Sequence, residues 1–368
     1  MIAYIVRRLL LIPLTLFGIM LLNFAIIQAA PGGPVEQMIA QLTETGPSIT
    51  QRVSQSGGGE IMASRSSGRD ATGAAGKYRG AQGLNPEFVK ELERMYGFDK
   101  PIHERFLLML KSYVTFDFGD SFFRDRSVVD LVIDKMPVSI SLGVWTTLLV
   151  YLISIPLGVM KAVRDGSRFD VWTSGLIIVG NAIPSFLFAV LLLVLFAGGS
   201  YLDWFPLRGM TSENWEQMAW PERILDYFWH LALPILSMVI GGFATLTMLT
   251  KNSFLDQIRL QYVITARSKG LSERRVLYGH VFRNAMLIVI AGFPSAFIGV
   301  LFTGAYLIEV IFSLDGIGRL SFESTINRDY PVIFGSLFFF GLLGLLMQLV
   351  GDLMYHVVDP RIDFEARS

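Results

Sequence analysis

Residues 261–284 read Gln261-Tyr-Val-Ile-Thr-Ala-Arg-Ser-Lys-Gly270-Leu-Ser-Glu-Arg-Arg-Val-Leu-Tyr-Gly-His280-Val-Phe-Arg-Asn284, a polar and basic segment between two long apolar stretches. Apolar residues just before and within its first part recur at the three- and four-residue intervals of an amphipathic helix, namely Leu255, Ile258, Tyr262 and Ala266. Gly270 is a helix stop, and Ser272 can cap a second helix that carries Val276 and His280. The segment predicts a bent pair of helices, and the alternative is an ordinary solvated loop.

The flanking stretches belong to a set of apolar segments that decide the class of protein. Of the 368 residues, 52% are hydrophobic, and the mean hydropathy is +0.50, more than one soluble core can bury. A helix needs roughly 20 apolar residues to cross about 30 Å of hydrocarbon. Six segments satisfy this: 9–27, 138–159, 171–197, 228–249, 285–308 and 332–355. The prolines at 13, 156, 184, 234 and 294 are expected to kink these helices or to mark bends. The sequence therefore predicts an all-α protein with six transmembrane helices.

The first apolar segment has a second interpretation. Arg7 and Arg8 precede it and Gln28-Ala-Ala30 follow it, as in a cleaved signal peptide. However, the apolar part of a signal peptide normally has about 7 to 15 residues, and a cut after Ala30 would place Pro31 next to the cleavage site. We therefore predict a transmembrane helix in residues 1–28.

Lys and Arg residues in the short flanks indicate the orientation, because they are enriched on the cytoplasmic side. With a cytoplasmic N-terminus, the inner side carries Arg7, Arg8, Lys161, Arg164, Arg168, Lys251, Arg259, Arg267, Lys269, Arg274, Arg275, Arg283, Arg361 and Arg367. The short outer loops then carry only Arg208, Arg223, Arg319 and Arg328. Both termini and the loop 250–284 are thus predicted to lie inside.

Residues 29–137 form a long outer segment with two parts. Residues 43–83 are rich in Gly, Ser, Ala and Thr, a composition that predicts a flexible loop. Residues 85–97 predict a helix, and residues 102–116 predict an amphipathic helix with Phe106, Met109, Leu110 and Tyr113 on one face. The chain thus divides into a first helix, an outer segment, and a five-helix core in residues 138–368.

Several functions are excluded by what the sequence lacks. The only Gly-Lys pair, Gly76-Lys77, is followed by Tyr78 and has no P-loop spacing, and Ser56-Gly-Gly-Gly-Glu60 reads as linker. There is no cysteine, and the four histidines form no metal-binding pattern, so no cofactor is expected. The 31 basic and 31 acidic residues balance, which gives no reason to expect nucleic-acid binding.

The predicted spans also lack the groups that a proton-driven transporter needs inside the membrane. The first five contain no Asp, Glu, Lys or Arg, and Asp352 lies near the inner end of the sixth, where an interfacial position explains it. His230, at the outer start of the fourth span, is explained in the same way. No catalytic pattern of a hydrolase occurs within the spans. The energy source is therefore expected in another polypeptide.

The segment 261–284 resembles the cytoplasmic coupling loop of ABC importer permeases, which docks into a cleft of the ATPase subunit. In the strict form of that loop, Glu-Ala-Ala, three residues and Gly lead to Ile-x-Leu-Pro. Here the positions read Ile264-Thr-Ala266, Gly270 and His280-Val-Phe-Arg283, without the Glu and the Pro. The resemblance implies that the ATPase is contacted by Thr265, Ala266, Arg267, Gly270, Arg274, His280, Arg283 and Asn284.

Further motifs resemble, in chain order, the B-type permeases of oligopeptide and dipeptide ABC importers. They are Tyr4-Ile-Val-Arg-Arg8, Pro31-Gly-Gly-Pro34, Tyr96-Gly-Phe-Asp-Lys-Pro101, Phe118-Gly-Asp-Ser121, Ile155-Pro-Leu-Gly158, Gly166-Ser-Arg-Phe-Asp170, Ile183-Pro-Ser-Phe186, Glu309-Val-Ile-Phe-Ser-Leu-Asp-Gly-Ile-Gly318, Arg328-Asp-Tyr-Pro331 and Asp359-Pro-Arg361. The Gly/Ser-rich outer segment and the ending Asp359-Pro-Arg-Ile-Asp-Phe-Glu365 are more similar to a branch associated with microcin C and oligopeptide uptake in Gram-negative bacteria.

This resemblance implies the type I importer (MetI-like) architecture, in a bacterial inner membrane with both termini cytoplasmic. It also implies a non-enzymatic subunit that lines half of a peptide pathway. The expected partners are a second related permease in a heterodimer, ABC ATPase subunits, a periplasmic substrate-binding protein, a peptide substrate and the lipid bilayer. Two other classes remain as alternatives, a self-sufficient secondary transporter and a membrane scaffold or receptor without transport.

Overall fold

The structure, a computed structural model, describes residues 2–29, 100–199, 201–299 and 306–358. In these residues the chain forms helices and turns, without a strand. The helices are α1 (Ile2–Ala29), α2 (Ile102–Val114), α3 (Val128–Val163), α4 (Arg168–Ala182), α5 (Ser185–Phe196), α6 (Trp220–Ile258), α7 (Gln261–Ser268), α8 (Glu273–Val276), α9 (Phe282–Gly299), α10 (Tyr306–Ile311), α11 (Ile317–Asn327) and α12 (Tyr330–Val358). A 3₁₀ turn at Trp215–Gln217 precedes α6, and a π-helical turn at Leu277–Val281 joins α8 to α9.

Five helical stretches within the described residues are long and apolar enough to cross a membrane. They are Tyr4–Ile26, Val128–Val163, Trp220–Ile258, Glu273–Gly299 and Tyr330–Met354. The pair formed by α4 and α5 has the composition of a sixth span. The predicted all-α class is thus confirmed, and the number of apolar stretches agrees with the predicted six if the bent pair counts as one span.

The third predicted span, residues 171–197, is not one straight helix. Its two halves, α4 and α5, meet at a bend of 90°. Ile183 is extended (ψ 118°) and Pro184 precedes the first residue of α5. Proline removes a backbone donor and restricts the residue before it to extended conformations, so it ends the first half here. Pro13, Pro156, Pro234 and Pro294 lie inside helices that continue past them.

The fifth predicted span, residues 285–308, is helical where the structure describes it. Helix α9 is described as far as Gly299, and the last residues of the predicted span belong to α10 (Tyr306–Ile311). Residues 300–305 lie outside the described part of the chain. The length of this span therefore stays a prediction.

The chain divides into two compact units, Met1–Leu14 with Gly119–Ser368, and Thr15–Phe118. In the first unit, α6 is central and packs against α3, α4, α5 and α9. An ion pair joins the start of α1 to α12, since Arg8 Nη2 lies 2.9 Å from Asp352 Oδ2 and the Tyr4 hydroxyl donates to the same oxygen at 2.9 Å. Asp352, expected at an interface, thus has a specific cationic partner.

The second unit is described in residues 15–29 and 100–118. The helix predicted over 102–116 ends at Val114, and Phe116 adopts a positive φ of 58°. Phe106 packs edge-on against Phe17 and Phe24, with ring centroids 5.8 and 5.3 Å apart. The predicted flexible part, residues 43–83, and the predicted helix over 85–97 lie outside the described residues.

Candidate functional site

The segment 261–284 forms two helices joined by a tight bend. Helix α7 directly follows α6, and α8 continues through the π-helical turn into α9. The inner faces of both helices are buried in the core through Val263, Ala266, Val276 and Val281, each at most 7% exposed. The bent pair predicted from the sequence is therefore present, and it is packed against the helix bundle rather than solvated on all sides.

Gly270 makes the bend. Its φ is +77°, a conformation that glycine adopts without strain. The Gly270 N–H donates to the Arg267 carbonyl at 2.9 Å, and the Leu271 N–H donates to the Ala266 carbonyl at 3.4 Å. These two bonds are the 5→2 and 6→1 bonds of a Schellman motif. The motif closes the last turn of α7 and fixes the direction in which the chain leaves it.

The start of the second helix differs in one detail from the prediction. Ser272 occupies the N-cap position with extended backbone, but its side chain makes no capping hydrogen bond. Its carbonyl instead accepts the Val276 N–H at 2.9 Å. Across the bend, Arg267 Nε lies 2.9 Å from Glu273 Oε1. This ion pair is exposed and contributes little to stability, as is usual at a surface.

The outer face of the bent pair carries most of the predicted contact residues. Seven of the eight are exposed, namely Thr265, Arg267, Gly270, Arg274, His280, Arg283 and Asn284. Ala266 points inward and is 7% exposed, so it supports the loop rather than its outer surface. Sequence patterns missed two apolar side chains on the outer face, Ile264 (49% exposed) and Tyr278 (57% exposed). Their exposure beside cations is typical of a docking surface.

A cavity lies within the helix bundle. Its volume is about 440 Å³, and α3, α5, α6 and α9 contribute its walls. Hydroxyl groups and glycines are frequent among its lining residues, which include Thr146, Tyr151, Ser185, Gly241 and Thr245. The lining residues that the structure describes include no Asp, Glu, Lys, Arg or His. The cavity is therefore uncharged, and several hydroxyl groups lie among its lining residues.

A buried ion cluster connects the ends of α3, α4 and α6. Lys161 is fully buried, and its Nζ lies 2.9 Å from Asp170 Oδ1. The same ammonium donates to the Asp170 carbonyl at 2.9 Å, to Thr173 Oγ1 at 2.9 Å and to Ser174 Oγ at 2.7 Å. Lys251 Nζ donates to Asp170 Oδ2 at 2.7 Å. By sequence alone the two lysines count only as flanking charges. Helix α4 begins in the structure with Ser167 as its N-cap, whose Oγ accepts the Asp170 N–H at 3.3 Å.

A second buried carboxylate lies far from the bent pair. Glu309 is fully buried, its Oε1 accepts the Ser139 hydroxyl at 2.8 Å, and its Oε2 accepts the Arg319 N–H at 2.7 Å. Burial raises the pKa of Glu309, while these two hydrogen bonds oppose the shift. Ser139, the partner of Glu309, and Lys161, in the ion cluster, are 22 residues apart on α3, about 33 Å along its axis. Glu309 and the ion cluster therefore lie near opposite ends of α3.

Glycine at 316 and 318 explains the spacing of the Glu309 motif. A Cβ on Gly316 would lie 2.3 Å from Glu309 Oε1, and one on Gly318 would lie 3.1 Å from Oε2. The carboxylate therefore sits directly against the N-terminus of α11, where backbone N–H groups stabilise a negative charge. This motif holds the fold together at the end of the bundle opposite the ion cluster.

The motif at 118–121 is explained by a contact with the motif at 328–331. Asp329 is 2% exposed and accepts the Ser121 hydroxyl at 2.5 Å and the Phe122 N–H at 3.2 Å. The turn before α3 is thereby bound to the turn before α12. The described residues bring no group of three His, Asp or Glu side chains together in a metal-binding arrangement.

The apolar spans, the uncharged cavity and the bent pair define a polytopic membrane transport subunit. The family model of the binding-protein-dependent transport system inner membrane component matches residues 154–364. The peptidoglycan transport system permease protein YejB of Agrobacterium fabrum is 63% identical over 366 residues, which cover 100% of this chain and 99% of that protein. The inner membrane ABC transporter permease protein YejB of Escherichia coli O157:H7 is 57% identical over 99% of this chain and 100% of its own. The oligopeptide transport system permease protein AppB of Bacillus subtilis is 34% identical over 99% of this chain and 100% of its own length.

The chain belongs to the family of binding-protein-dependent transport system inner membrane components. The predicted resemblance to B-type peptide importer permeases, and to the YejB branch in particular, is confirmed. The protein is thus a multi-pass permease subunit of the inner membrane and not itself an enzyme.

Proposed function

We propose that this chain is a permease subunit of an ABC importer for oligopeptides or peptide-like compounds, and that it forms half of the translocation pathway. The observation that carries the proposal is the full-length similarity to YejB and AppB, whose names assign them to peptidoglycan and oligopeptide transport. The uncharged cavity supports the proposal, because a pathway without fixed charges accepts peptides of either net charge. Its hydroxyl groups can hydrogen-bond to the peptide backbone that all such substrates share.

The bent pair at 261–284 is proposed as the contact with a separate ATPase. It is packed on its inner side, closed by the Schellman motif, and exposed through Ile264, Tyr278 and its cations on the outer side. A rigid element of this kind transmits a push, whereas a flexible loop would absorb it. Closure of the ATPase would then move α6 and α9, which flank the segment, and change access to the cavity.

The remaining partners follow from the same proposal. A second, related permease would complete the pathway in a heterodimer, and a periplasmic binding protein would deliver the peptide. The outer segment, residues 29–137, is proposed to receive that protein, and the core, residues 138–368, to carry the pathway and the coupling loop. The Gly/Ser-rich part of the outer segment would act as a tether.

Deleting the gene is expected to abolish peptide uptake by this route and to confer resistance to a toxic peptide conjugate such as microcin C. Uptake of a labelled peptide panel should be measured beside a peptide released from peptidoglycan, because one YejB relative is named for peptidoglycan transport. Nickel and sugar uptake serve as controls. Unchanged uptake of all peptides with loss of nickel or sugar uptake would refute the substrate class.

We further propose that both termini and the loop 250–284 are cytoplasmic, as the Lys and Arg distribution indicates. The chain has no cysteine, so single cysteines report on one site each. Exposed positions are suitable, namely Arg168 and Ser272 for the inner side and Glu213 and Thr325 for the outer side. An impermeant thiol reagent applied to intact spheroplasts is expected to label only the two outer positions. Labelling at Arg168→Cys or Ser272→Cys would overturn this topology.

A further inference from the structure

The buried ion cluster joins three helices, and the proposed function does not yet use it. Lys161, Asp170 and Lys251 are 0%, 5% and 9% exposed. A buried charge is costly unless it is paired, so each lysine depends on the partners that the fold gives it. The roles of Lys161 and Lys251 follow from the helices that each of them joins.

The two lysines make different connections. Lys161, on α3, donates its hydrogen bonds to the first turns of α4, at Asp170, Thr173 and Ser174. Lys251, on α6, donates to Asp170 and lies 2.9 Å from Asp165 Oδ1 in the turn between α3 and α4. Lys161 therefore fixes α4 to the preceding helix, whereas Lys251 joins α4 to α6.

Helix α6 is the element that leads into the bent pair. It ends at Ile258, seven residues after Lys251, and α7 begins at Gln261. On the other side of the cluster, α4 continues through the 90° bend into α5. Ser185, the first residue of α5, lines the cavity. The connection thus runs from the bent pair along α6 to Lys251, across its hydrogen bond to Asp170, and along α4 and α5 to the cavity wall.

We propose that Lys251 is a positioning residue that transmits movement of the bent pair to α4 and α5, and thereby to the cavity. This inference rests on the proposed function, in which the bent pair receives the push of an ATPase. Lys251 carries the connection because its two carboxylate partners both belong to the α3–α4 region, while Lys161 has no contact with α6 through this cluster. In a buried setting such charge-assisted bonds are strong and directional, and they hold the helices in one register.

Lys161→Met and Lys251→Met form a matched pair of variants. Each removes one buried cation and leaves Asp170 with the other one, and methionine fills a similar volume. In the reconstituted full importer, Lys251→Met is expected to lower peptide uptake per transporter by about tenfold, the loss expected when a typical coupling free energy disappears. Basal ATP hydrolysis and ATPase association should remain. Lys161→Met is expected to lower the amount of folded protein while uptake per transporter stays within about twofold.

Asp165→Asn extends the test if Lys251→Met does not reach the membrane. Asp165 is 41% exposed, so its replacement is compatible with folding. It removes one of the two carboxylate partners of Lys251, together with an exposed and longer contact of 3.8 Å to Arg259. A smaller loss of uptake per transporter, about threefold, is expected. Equal uptake per transporter in Asp165→Asn and wild type, or equal losses in Lys161→Met and Lys251→Met, would overturn the role of Lys251.

A distance measurement separates this inference from the choice of substrate. Spin labels at the exposed positions Trp172 on α4 and Ser268 on α7 report whether the two helices move together. In the complete importer, the distance is expected to be the same with and without a trapped ATP analogue, and to differ between the two states in Lys251→Met. If the distance changes equally in wild type and variant, Lys251 transmits nothing. If wild type imports no peptide but the distances behave as expected, only the substrate proposal fails.

Discussion

Replacing Gly270 with valine is expected to leave the protein in the membrane but to stop peptide uptake. Stimulation of ATP hydrolysis by substrate and binding protein should be lost as well. A Cβ at this position meets no atom within 4 Å, so the effect does not arise from a clash. It arises from the backbone, because a φ of +77° costs an L-residue about 1–2 kcal/mol and is particularly unfavourable for a β-branched one.

The strain is expected to be relieved by a change at the bend, which would break the Schellman motif. The bond from Leu271 N–H to the Ala266 carbonyl is already long at 3.4 Å and would be lost first. Helix α7 would then lose its fixed angle to α8, and the outer face that carries Ile264 and Arg267 would no longer match a rigid partner. The core contacts of Val263 and Val276 lie outside the bend, which is why insertion and folding should persist.

Gly270→Asn is the matched control, because asparagine tolerates the left-handed conformation that valine does not. It should retain most of the uptake and of the co-purifying ATPase. Gly279→Ala is a second control, since this glycine lies in the same segment with open space around it and without a positive φ. Normal uptake and normal ATPase co-purification in Gly270→Val would show that the segment is an ordinary loop.

Ala266→Asp is not an equivalent test of coupling. Ala266 packs in the core beside Val263 and Val276, so an aspartate there would bury an unpaired charge. The variant is expected to lose folded protein in the membrane rather than to uncouple a folded transporter. Membrane abundance measured beside uptake distinguishes the two outcomes, and a normally abundant but inactive variant would contradict this expectation.

Sequence reasoning predicted the structural features that depend on residues close together in the chain. The apolar segments, the bend at Gly270 and the amphipathic face of α2 each depend on neighbours within one or two helical turns, and period and glycine position report such features directly. The break at Pro184 was foreseen as a possible bend, but so were bends at Pro156 and Pro234, where the helices continue. Proline alone does not decide between a kink and a break, because neighbouring helices can compensate for the missing hydrogen bond.

The features that sequence reasoning missed depend on contacts between distant positions. Lys161 looked like a flanking charge, yet its partners on α4 bury it completely, and Lys251 reaches Asp170 across 81 positions. Ser139 and Glu309 are 170 positions apart. Burial of a charge follows from its partners, and a single sequence does not display which partners the fold brings together.

The close packing of α3 on α6 gives the second prediction with a large effect. A Cβ on Gly158 would lie 2.6 Å from Thr250 Cβ and 2.8 Å from the Thr247 carbonyl oxygen. Distances below 3.0 Å require the helices to separate, since one of the obstacles is backbone. Both threonine hydroxyls donate to carbonyls of their own helix, at 2.7 Å for Thr247 and 2.8 Å for Thr250. The hydroxyls are thereby satisfied, and the Thr250 methyl group faces Gly158 across the contact.

Gly158→Ala is expected to destabilise the protein by about 1–3 kcal/mol, the usual cost of overpacking a tight contact, and Gly158→Leu is expected to prevent stable insertion. The measurements are membrane abundance and the thermal unfolding temperature in detergent. Gly175→Ala on α4 is the control, because this glycine is exposed and a Cβ there meets no atom within 4 Å. Wild-type abundance of Gly158→Leu would show that the two helices are not held this closely.

The position of Gly158 also connects this contact to the ion cluster. Lys161 follows Gly158 by three residues on α3, and Lys251 follows Thr250 by one residue on α6. The approach that glycine permits therefore allows both lysines to reach Asp170 in a buried setting. Gly158→Ala should thus lower uptake per transporter as well as stability, because moving α3 away from α6 weakens the bonds that join α4 to both helices. A variant that is less stable but imports normally per molecule would show that the cluster tolerates this displacement.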